Sequence, residues 1–468
     1  MSHTFHSTVL REYDIRGIIG ETLGAEDARA IGRTFGTLLR RAGGKKVAVG
    51  YDGRVSSPML ESALVEGLTS AGCDVRRIGM GPTPMLYFAE ASAEEIDGGI
   101  QITGSHNPAN YNGFKMVFQG RPFFGSDIQL LGQMSAAGDW ESGVGGTEDV
   151  DILDTYIDRL LEPLEGLDAD VLAGIKVGWD AGNGAAGPAL ERLAARLPGE
   201  HHLLYTEVDG EFPNHHPDPT VEENLEDLRE LVSAKSLDFG IAFDGDGDRI
   251  GAIDGEGRVI WGDQLLMIYA EDLLKRQPGV TIIADVKASR ALYDHIAACG
   301  GEPLMWKTGH SLIKSKMKET SSPLAGEMSG HVFFADTYYG FDDALYAGVR
   351  LIAASVRLGK SVTQLRGDMP QMLNTPEMRF QVDESRKFAA VDEVKERLST
   401  ASGVEVNATD GVRVNTPDGW WLLRASNTQD VLVARAESDS EDGLKRLLAQ
   451  IDEQLGLSGL ERGPQAGH

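Results

Sequence analysis

The chain reads as an α/β protein with three similar mixed α/β domains in series and a smaller C-terminal α+β domain. Three observations carry that reading. Stretches 46–52, 176–180 and 282–285 share one pattern, an apolar strand running into an aspartate and then a helix. Their recurrence at intervals of roughly a hundred residues suggests repeated α/β units. Fifty-seven glycines with 41% hydrophobic residues suit tight strand-to-helix turns. Beyond 376 the texture changes to one helix over 388–399 and strands around 420–423 and 431–433.

The elements follow in order. In the first unit Ser56-Ser57-Pro58 supplies a helix start with proline in the first turn, and the periodic run stops near Gly72. The glycine-rich stretch 138–146 precedes a helical run over 151–164 and marks a first boundary. A second boundary falls near Asp254-Gly255-Glu256-Gly257. A helix over 288–299 is closed by Gly300-Gly301, and another spans 343–358. A third boundary falls around 367–376. The resulting domains are 1–150, 151–254, 255–368 and 369–468. A chain of 468 residues exceeds one ordinary core, which fits such a division.

Forty-four basic against 72 acidic residues leave a formal charge of −28. Such a surface repels nucleic acid and anionic lipid, so neither is expected as a partner. An anionic small substrate needs a locally basic pocket within this field. Cys73 and Cys299 lie far apart without metal spacing, which points to a reducing compartment. No run approaches a membrane span, and the amino terminus lacks a signal-peptide shape. A cytoplasmic location is expected.

Several loops carry chemistry. The apolar run 98–102 ends in Thr103-Gly-Ser-His-Asn-Pro108, where Gly104 and Pro108 hold a loop open and present Ser105 at a strand tip. The run 114–118 resumes β character and carries Lys115 back toward that loop. Phe243-Asp244-Gly-Asp246-Gly-Asp248-Arg249 can turn three carboxylates onto one point, and a divalent cation is their natural occupant. A calcium EF-hand is excluded because its sixth and twelfth positions hold Arg249 and Gly255. Three carboxylates leave a hard ion such as Mg²⁺ short of oxygens, so an outside oxygen, characteristically phosphate, is expected.

Gly182, Gly184 and Gly187 match a dinucleotide fingerprint after a strand. Pro188 just inside the helix and the distant acidic candidates Glu207 and Asp209 argue instead for a tight turn. His215 and His216 sit between prolines in what reads as a rigid loop. Arg424, Ser426, Asn427 and Thr428 combine a bidentate cation with hydroxyl and amide donors, a good phosphate cradle. Glu327, Ser329 and His331 lie between glycines and suit sugar hydroxyls. The segments 11–17 and 307–311 add further polar and cationic groups.

Taken together, 12–17, 103–108, 213–219, 244–249, 326–331 and 424–428 resemble, in order and over essentially the whole chain, the α-D-phosphohexomutase superfamily. The likeness is strongest to its bifunctional phosphomannomutase/phosphoglucomutase branch. The resemblance implies four domains around a central cleft, each contributing one loop. It implies that Ser105 is the phosphorylated nucleophile and that Asp244, Asp246 and Asp248 hold one Mg²⁺ per chain together with Ser105. Lys115, His331, Arg16, Arg249 and His106 become candidate catalytic groups, with Lys115 and His331 moving the proton of the attacking hydroxyl. Tyr13, Lys287, His310, Glu327, Met328 and Ser329 become substrate contacts, and Arg424, Ser426, Asn427 and Thr428 hold the non-transferring phosphate. The implied reaction interconverts hexose 1-phosphate and 6-phosphate, of mannose or glucose, through a hexose 1,6-bisphosphate. A monomer or weak dimer is expected.

One departure is Gln429-Asp430, where the family's loop usually ends in proline; a carboxylate there weakens phosphate binding unless it points away. Phosphoglucosamine mutases typically carry glutamine where Met328 stands, which favours mannose or glucose. A Mg²⁺-dependent sugar-phosphate phosphatase and a non-catalytic sugar-phosphate binder are the readings from other classes.

Overall fold

The computed structural model describes residues 2–401, 403–426 and 430–463. Among these residues four sheets follow one another along the chain. The first has seven strands, the second five, the third four and the last six.

One arrangement recurs in the first three. The aspartate-ended strand lies parallel to a second strand, which then turns back antiparallel. Lys46–Tyr51 lies beside Gly98–Ile102, which returns as Tyr111–Phe118. Lys176–Asp180 lies beside Phe239–Phe243, which returns as Ile250–Asp254. Thr281–Asp285 lies beside Leu324–Gly326, which returns as Val332–Phe334. Each second strand is buried along its whole length, as parallel strands covered on both faces must be. The turn at the end of each is therefore the part left to face a ligand, outside the carboxyl end of the strand.

The fourth sheet is wholly antiparallel. Its strand Gly419–Ala425 is buried from Trp420 onward, and alternation assigns the two tryptophans to opposite faces. Trp421 and Leu423 pack with Ala390, Val394, Leu447 and Ile451 of the helices Glu384–Ser399 and Glu441–Leu457. Trp420 and Leu422 pack instead on Val286 of the third unit. The buried Arg413 stacks 3.6 Å over Trp420 and donates to the carbonyls of Val286 and Ala288, both at 2.7 Å. The last sheet is thus docked by an apolar face, with Arg413 supplying donors to the Val286 and Ala288 carbonyls at its edge.

The second and third sheets share one continuous apolar core. The helix Ala344–Leu358 crosses it so closely that a Cβ on Gly348 would lie 2.9 Å from the Trp179 ring. Local departures from the sequence reading have simple causes. The run expected as one helix over 151–164 is α-helical from Leu153 to Leu161 and 3-10 from Glu162 to Leu164. Pro163 lacks the amide proton an α-turn would need. Ser56 stands at the helix start but its hydroxyl does not cap; it accepts from Asn112 Nδ2 at 2.8 Å. Among the described residues no helix is long and apolar enough to cross a membrane.

Candidate active site

The three hairpin turns, the strand Gly419–Ala425 through Arg424 and the segment before Ile15–Ile18 converge on one cavity of about 350 Å³. Tyr13, Arg16, Ser105, His106, Lys115, Arg249, Lys287, His310, Glu327, Ser329, His331 and Arg424 all line it. Met328 lines an adjoining lobe, and Ser426 is buried beside the cradle strand. Asn427 and Thr428 lie outside the described residues.

Ser105 stands at the tip of the first hairpin with φ +49°, a left-handed conformation rare for residues other than glycine. Its amide donates to Thr103 Oγ1 at 2.9 Å. Its hydroxyl donates to Asp244 Oδ2 at 3.0 Å and lies 3.2 Å from His106 Nδ1. Burial and the nearby Arg249, Arg16 and Lys115 hold the His106 imidazole well below its usual pKa, so it is a neutral neighbour. The second hairpin comes so near that a Cβ on Gly245 would fall 2.5 Å from the Ser105 carbonyl oxygen. Glycine at 245 is what lets the two loops touch.

Asp244, Asp246 and Asp248 offer carboxylate oxygens within 4.8 Å of one another, and all three side chains are fully buried. Asp244 Oδ1 accepts from the amides of Asp248 and Arg249 at 3.1 and 3.2 Å. Asp246 Oδ2 accepts from Thr83, Thr103 and Lys115. Asp246 Oδ1 is buried without a hydrogen-bond partner, and Asp248 Oδ1 is buried facing the His331 ring. Burial, followed by repulsion from Asp246 and Asp248, pushes the Asp244 carboxyl well above its usual range. An orphaned oxygen among three buried carboxylates, all hard donors, fits a hard divalent cation with Ser105 Oγ at its edge.

Lys115 donates 2.7 Å to Asp246 and is also paired with Asp248. Burial alone would depress the ammonium, but these carboxylates outweigh it and hold the pKa above the usual lysine value. His331 Nε2 lies 3.2 Å from Asp248 Oδ1 and His331 Nδ1 3.2 Å from Glu327 Oε2. Against burial, those carboxylates raise His331 to about 9. Lys115 and His331 therefore flank Asp248 as two protonated donors. Arg249 and Arg16 bring further positive charge, Arg16 donating to Asn107 Oδ1 at 2.6 Å. This is the locally basic pocket that an acidic protein requires for an anion.

On the opposite wall Glu327 Oε1 accepts from the amide of Gly309 at 2.7 Å, and Ser329 Oγ lies 3.1 Å from His331 Nδ1. Asp285, the aspartate of the third repeat, holds this loop by accepting from Met328 N at 3.1 Å and Thr308 Oγ1 at 3.0 Å. Gly309 has φ +131° and a Cβ there would strike the Tyr13 ring at 2.9 Å, which brings the first segment onto the third unit. Arg424 pairs with Asp410 at 3.0 Å. The Asp430 side chain is 60% exposed and lies 3.5 Å from Lys387 Nζ, a cation that draws the carboxylate.

Sequence reasoning missed several residues of the site. Glu377 and Arg379 line the cleft, and Glu377 binds Lys287 at 3.0 Å; they sit on the short strand Met378–Gln381 and its approach, with no motif to mark them. Asp52 and Arg54 lie beneath the Ser105 loop. Their signal was available, since Asp52 ends the first repeat strand and Arg54 follows two residues on.

Comparison with known proteins gives a consistent result. The phosphoglucomutase/phosphomannomutase family matches in four parts: alpha/beta/alpha domain I over residues 7–139, domain II over 154–257, domain III over 261–373 and the C-terminal domain over 377–454. A Pseudomonas aeruginosa phosphomannomutase/phosphoglucomutase is 45% identical over 452 residues, covering 97% of this chain and 96% of that protein. A Neisseria gonorrhoeae phosphoglucomutase is 41% identical, covering 94% of this chain and 95% of that protein. The crystal structure of a family protein from Burkholderia thailandensis superposes with a TM-score of 0.91 at 43% identity, covering 99% of both chains.

Proposed function

The chain belongs to the phosphoglucomutase/phosphomannomutase branch of the α-D-phosphohexomutase superfamily, and from that premise we propose that Ser105 is its phosphoryl carrier. The protein is an isomerase that interconverts hexose 1-phosphate and hexose 6-phosphate of mannose or glucose. The observation that carries the assignment is Ser105 Oγ 3.0 Å from Asp244, at the rim of a buried three-carboxylate loop in which Asp246 Oδ1 has no hydrogen-bond partner. We take the chain as four domains, 1–150, 151–254, 255–368 and 369–468, each giving one loop to the cleft.

Phosphoserine at 105 gives its phosphoryl group to the free hydroxyl of a hexose monophosphate. The Oγ–P bond breaks, the sugar O–P bond forms, and the hydroxyl proton passes to a nearby base. Lys115 and His331 are the candidates for that base and for the acid of the reverse step, one of them first giving up its proton. Asp244, Asp246, Asp248 and the Ser105 oxygen would hold one Mg²⁺, which when bound neutralises charge on the transferring group. Arg16 and Arg249 add positive charge from the protein side, and His106 is a neutral acceptor beside Ser105. The hexose 1,6-bisphosphate then turns around, and Ser105 takes back the other phosphate.

A turning ligand needs groups that read it in both orientations. Glu327 and Ser329 take sugar hydroxyls, while Tyr13, Lys287, His310 and Met328 wall the site. Arg424, Ser426, Asn427 and Thr428 take the phosphate that is not being transferred. Removing one partner of such a polar contact costs about 1–3 kcal/mol. Glu327→Ala and Arg424→Ala are therefore expected to slow initial rates in both directions and to release free bisphosphate. A variant impaired in one direction only, or a silent Glu327→Ala without bisphosphate release, contradicts these roles.

The test of the function is a coupled assay on mannose, glucose and glucosamine 1-phosphates, with intact-mass measurement of the purified protein. Isomerisation of the first two with a phosphate adduct at Ser105 is expected. Preference for glucosamine 1-phosphate would make the protein a phosphoglucosamine mutase. Steady release of inorganic phosphate in place of isomer would make it a phosphatase. We place the protein in the cytoplasm, acting on hexose phosphates as a monomer or weak dimer.

A further inference from the structure

Beneath the Ser105 loop lies Arg54, 2% exposed and absent from the cleft wall. A guanidinium has five N–H donors in a rigid fork, and here every one is used inside the protein. Nε donates to Asp52 Oδ2 at 3.2 Å. One terminal nitrogen donates to the carbonyls of Pro108 and Tyr111 at 2.6 and 3.0 Å. The other donates to the carbonyls of Ser105 and Asn107 at 2.8 and 2.6 Å. Asp52 closes the circuit from the other side, its Oδ2 accepting from Gly104 N at 2.9 Å.

We propose that Arg54 is a positioning residue for phosphoryl transfer: it gathers four carbonyls of the 105–111 loop around one cation and so holds Ser105 in its left-handed conformation. The proposal rests on Ser105 being the phosphoryl carrier. A loop with its carbonyls turned inward is unstable without a buried donor set to receive them. The Ser105 carbonyl is also pressed by the backbone of Gly245, where a Cβ would fall 2.5 Å away. Fixing that carbonyl therefore fixes the serine against the metal loop. Phe212 stacks 5.3 Å from the guanidinium, and a Cβ on Gly210 would meet Arg54 Cα at 2.8 Å, so the second unit closes over the arginine. The functional need is specific to a mutase. The ligand turns between two transfers, so the nucleophile must stay in one place to meet each end of the sugar in line.

Two variants test this by different chemistry. Arg54→Lys keeps the charge but offers a point ammonium with three donors, which cannot serve five acceptors across a planar fork. Gly104→Ala keeps every charge, but its Cβ would lie 2.3 Å from Arg54 Nε, in a guanidinium already held by all its bonds. A misplacement of about 1 Å can cost about 10²-fold in rate. Both variants are expected to lose kcat on that scale with KM for hexose 1-phosphate little changed, because Arg54 does not touch the cleft. Inorganic phosphate released per isomerisation should rise, as a loosened phosphoserine meets water. Amides of the 103–112 loop should exchange hydrogen faster while those of the helix Ser57–Ser70 keep their protection.

Wild-type kcat in Gly104→Ala, or a raised KM in place of a lowered kcat, overturns the proposal, and this variant decides the matter if Arg54→Lys does not fold. Wild-type enzyme without phosphate on Ser105 would instead remove the carrier assignment, a result read on the unmodified chain before either variant is made.

Discussion

Ser105→Ala is expected to lower hexose phosphate isomerisation by about 10³-fold or more, equivalent to about 4 kcal/mol in the barrier. The hydroxyl is the one atom group the substitution removes. Alanine shares the backbone cost of φ +49°, so the loop, held by Arg54 and by Asp52, keeps its shape. Hexose phosphate should still bind, since Glu327, Lys287 and Arg424 lie on other walls of the cleft. Intact mass should drop by one phosphate relative to the phosphorylated wild type. A phosphate adduct that survives in Ser105→Ala puts the carrier elsewhere, and turnover at wild-type rate removes covalent transfer from the mechanism.

Chelation of divalent cations is expected to abolish turnover, and Mg²⁺ to restore it. Asp246→Asn should lose about 10²–10³-fold in rate, the scale seen when one element of a pre-organised charge cluster is removed. The physical cause is local. Asp246 Oδ1 is a buried oxygen with no hydrogen-bond partner, whereas Oδ2 is already taken by Thr83, Thr103 and Lys115. The amide would put a neutral or donating atom where a cation needs a negative one. A second readout is independent of activity. Mg²⁺ at about a hundred times its Kd stabilises a folded state by about 2.7 kcal/mol, so the melting midpoint of wild type should rise with Mg²⁺ and that of Asp246→Asn should respond far less. Full activity in chelator, or equal Mg²⁺ shifts in both proteins, would make the cluster structural.

The sequence alone determined the fold class, the repeated strand–aspartate units and the order of the loops that carry chemistry. These are readable because each depends on neighbours in the chain. Ser105 is offered by the strand before it and the glycine and proline beside it. The three aspartates alternate with glycines, and the tryptophan strand declares its own burial. What the sequence could not decide was how those pieces meet. That Lys115 pairs with Asp246 and Asp248, 131 and 133 residues away, is fixed by a hairpin return and an interdomain contact. The sequence marks the aspartates only as the ends of the repeat strands, yet Asp52 and Asp285 hold the Ser105 and Glu327 loops through backbone amides. Glu377 and Arg379 enter the cleft only because the last sheet docks on the third unit through Trp420 and Arg413. Periodicity records which face of an element is buried, but a side chain's partner across the fold depends on packing that no local pattern encodes. That is why the loops were legible, whereas Asp52 and Arg54 stood in the sequence without any sign of the loop they hold.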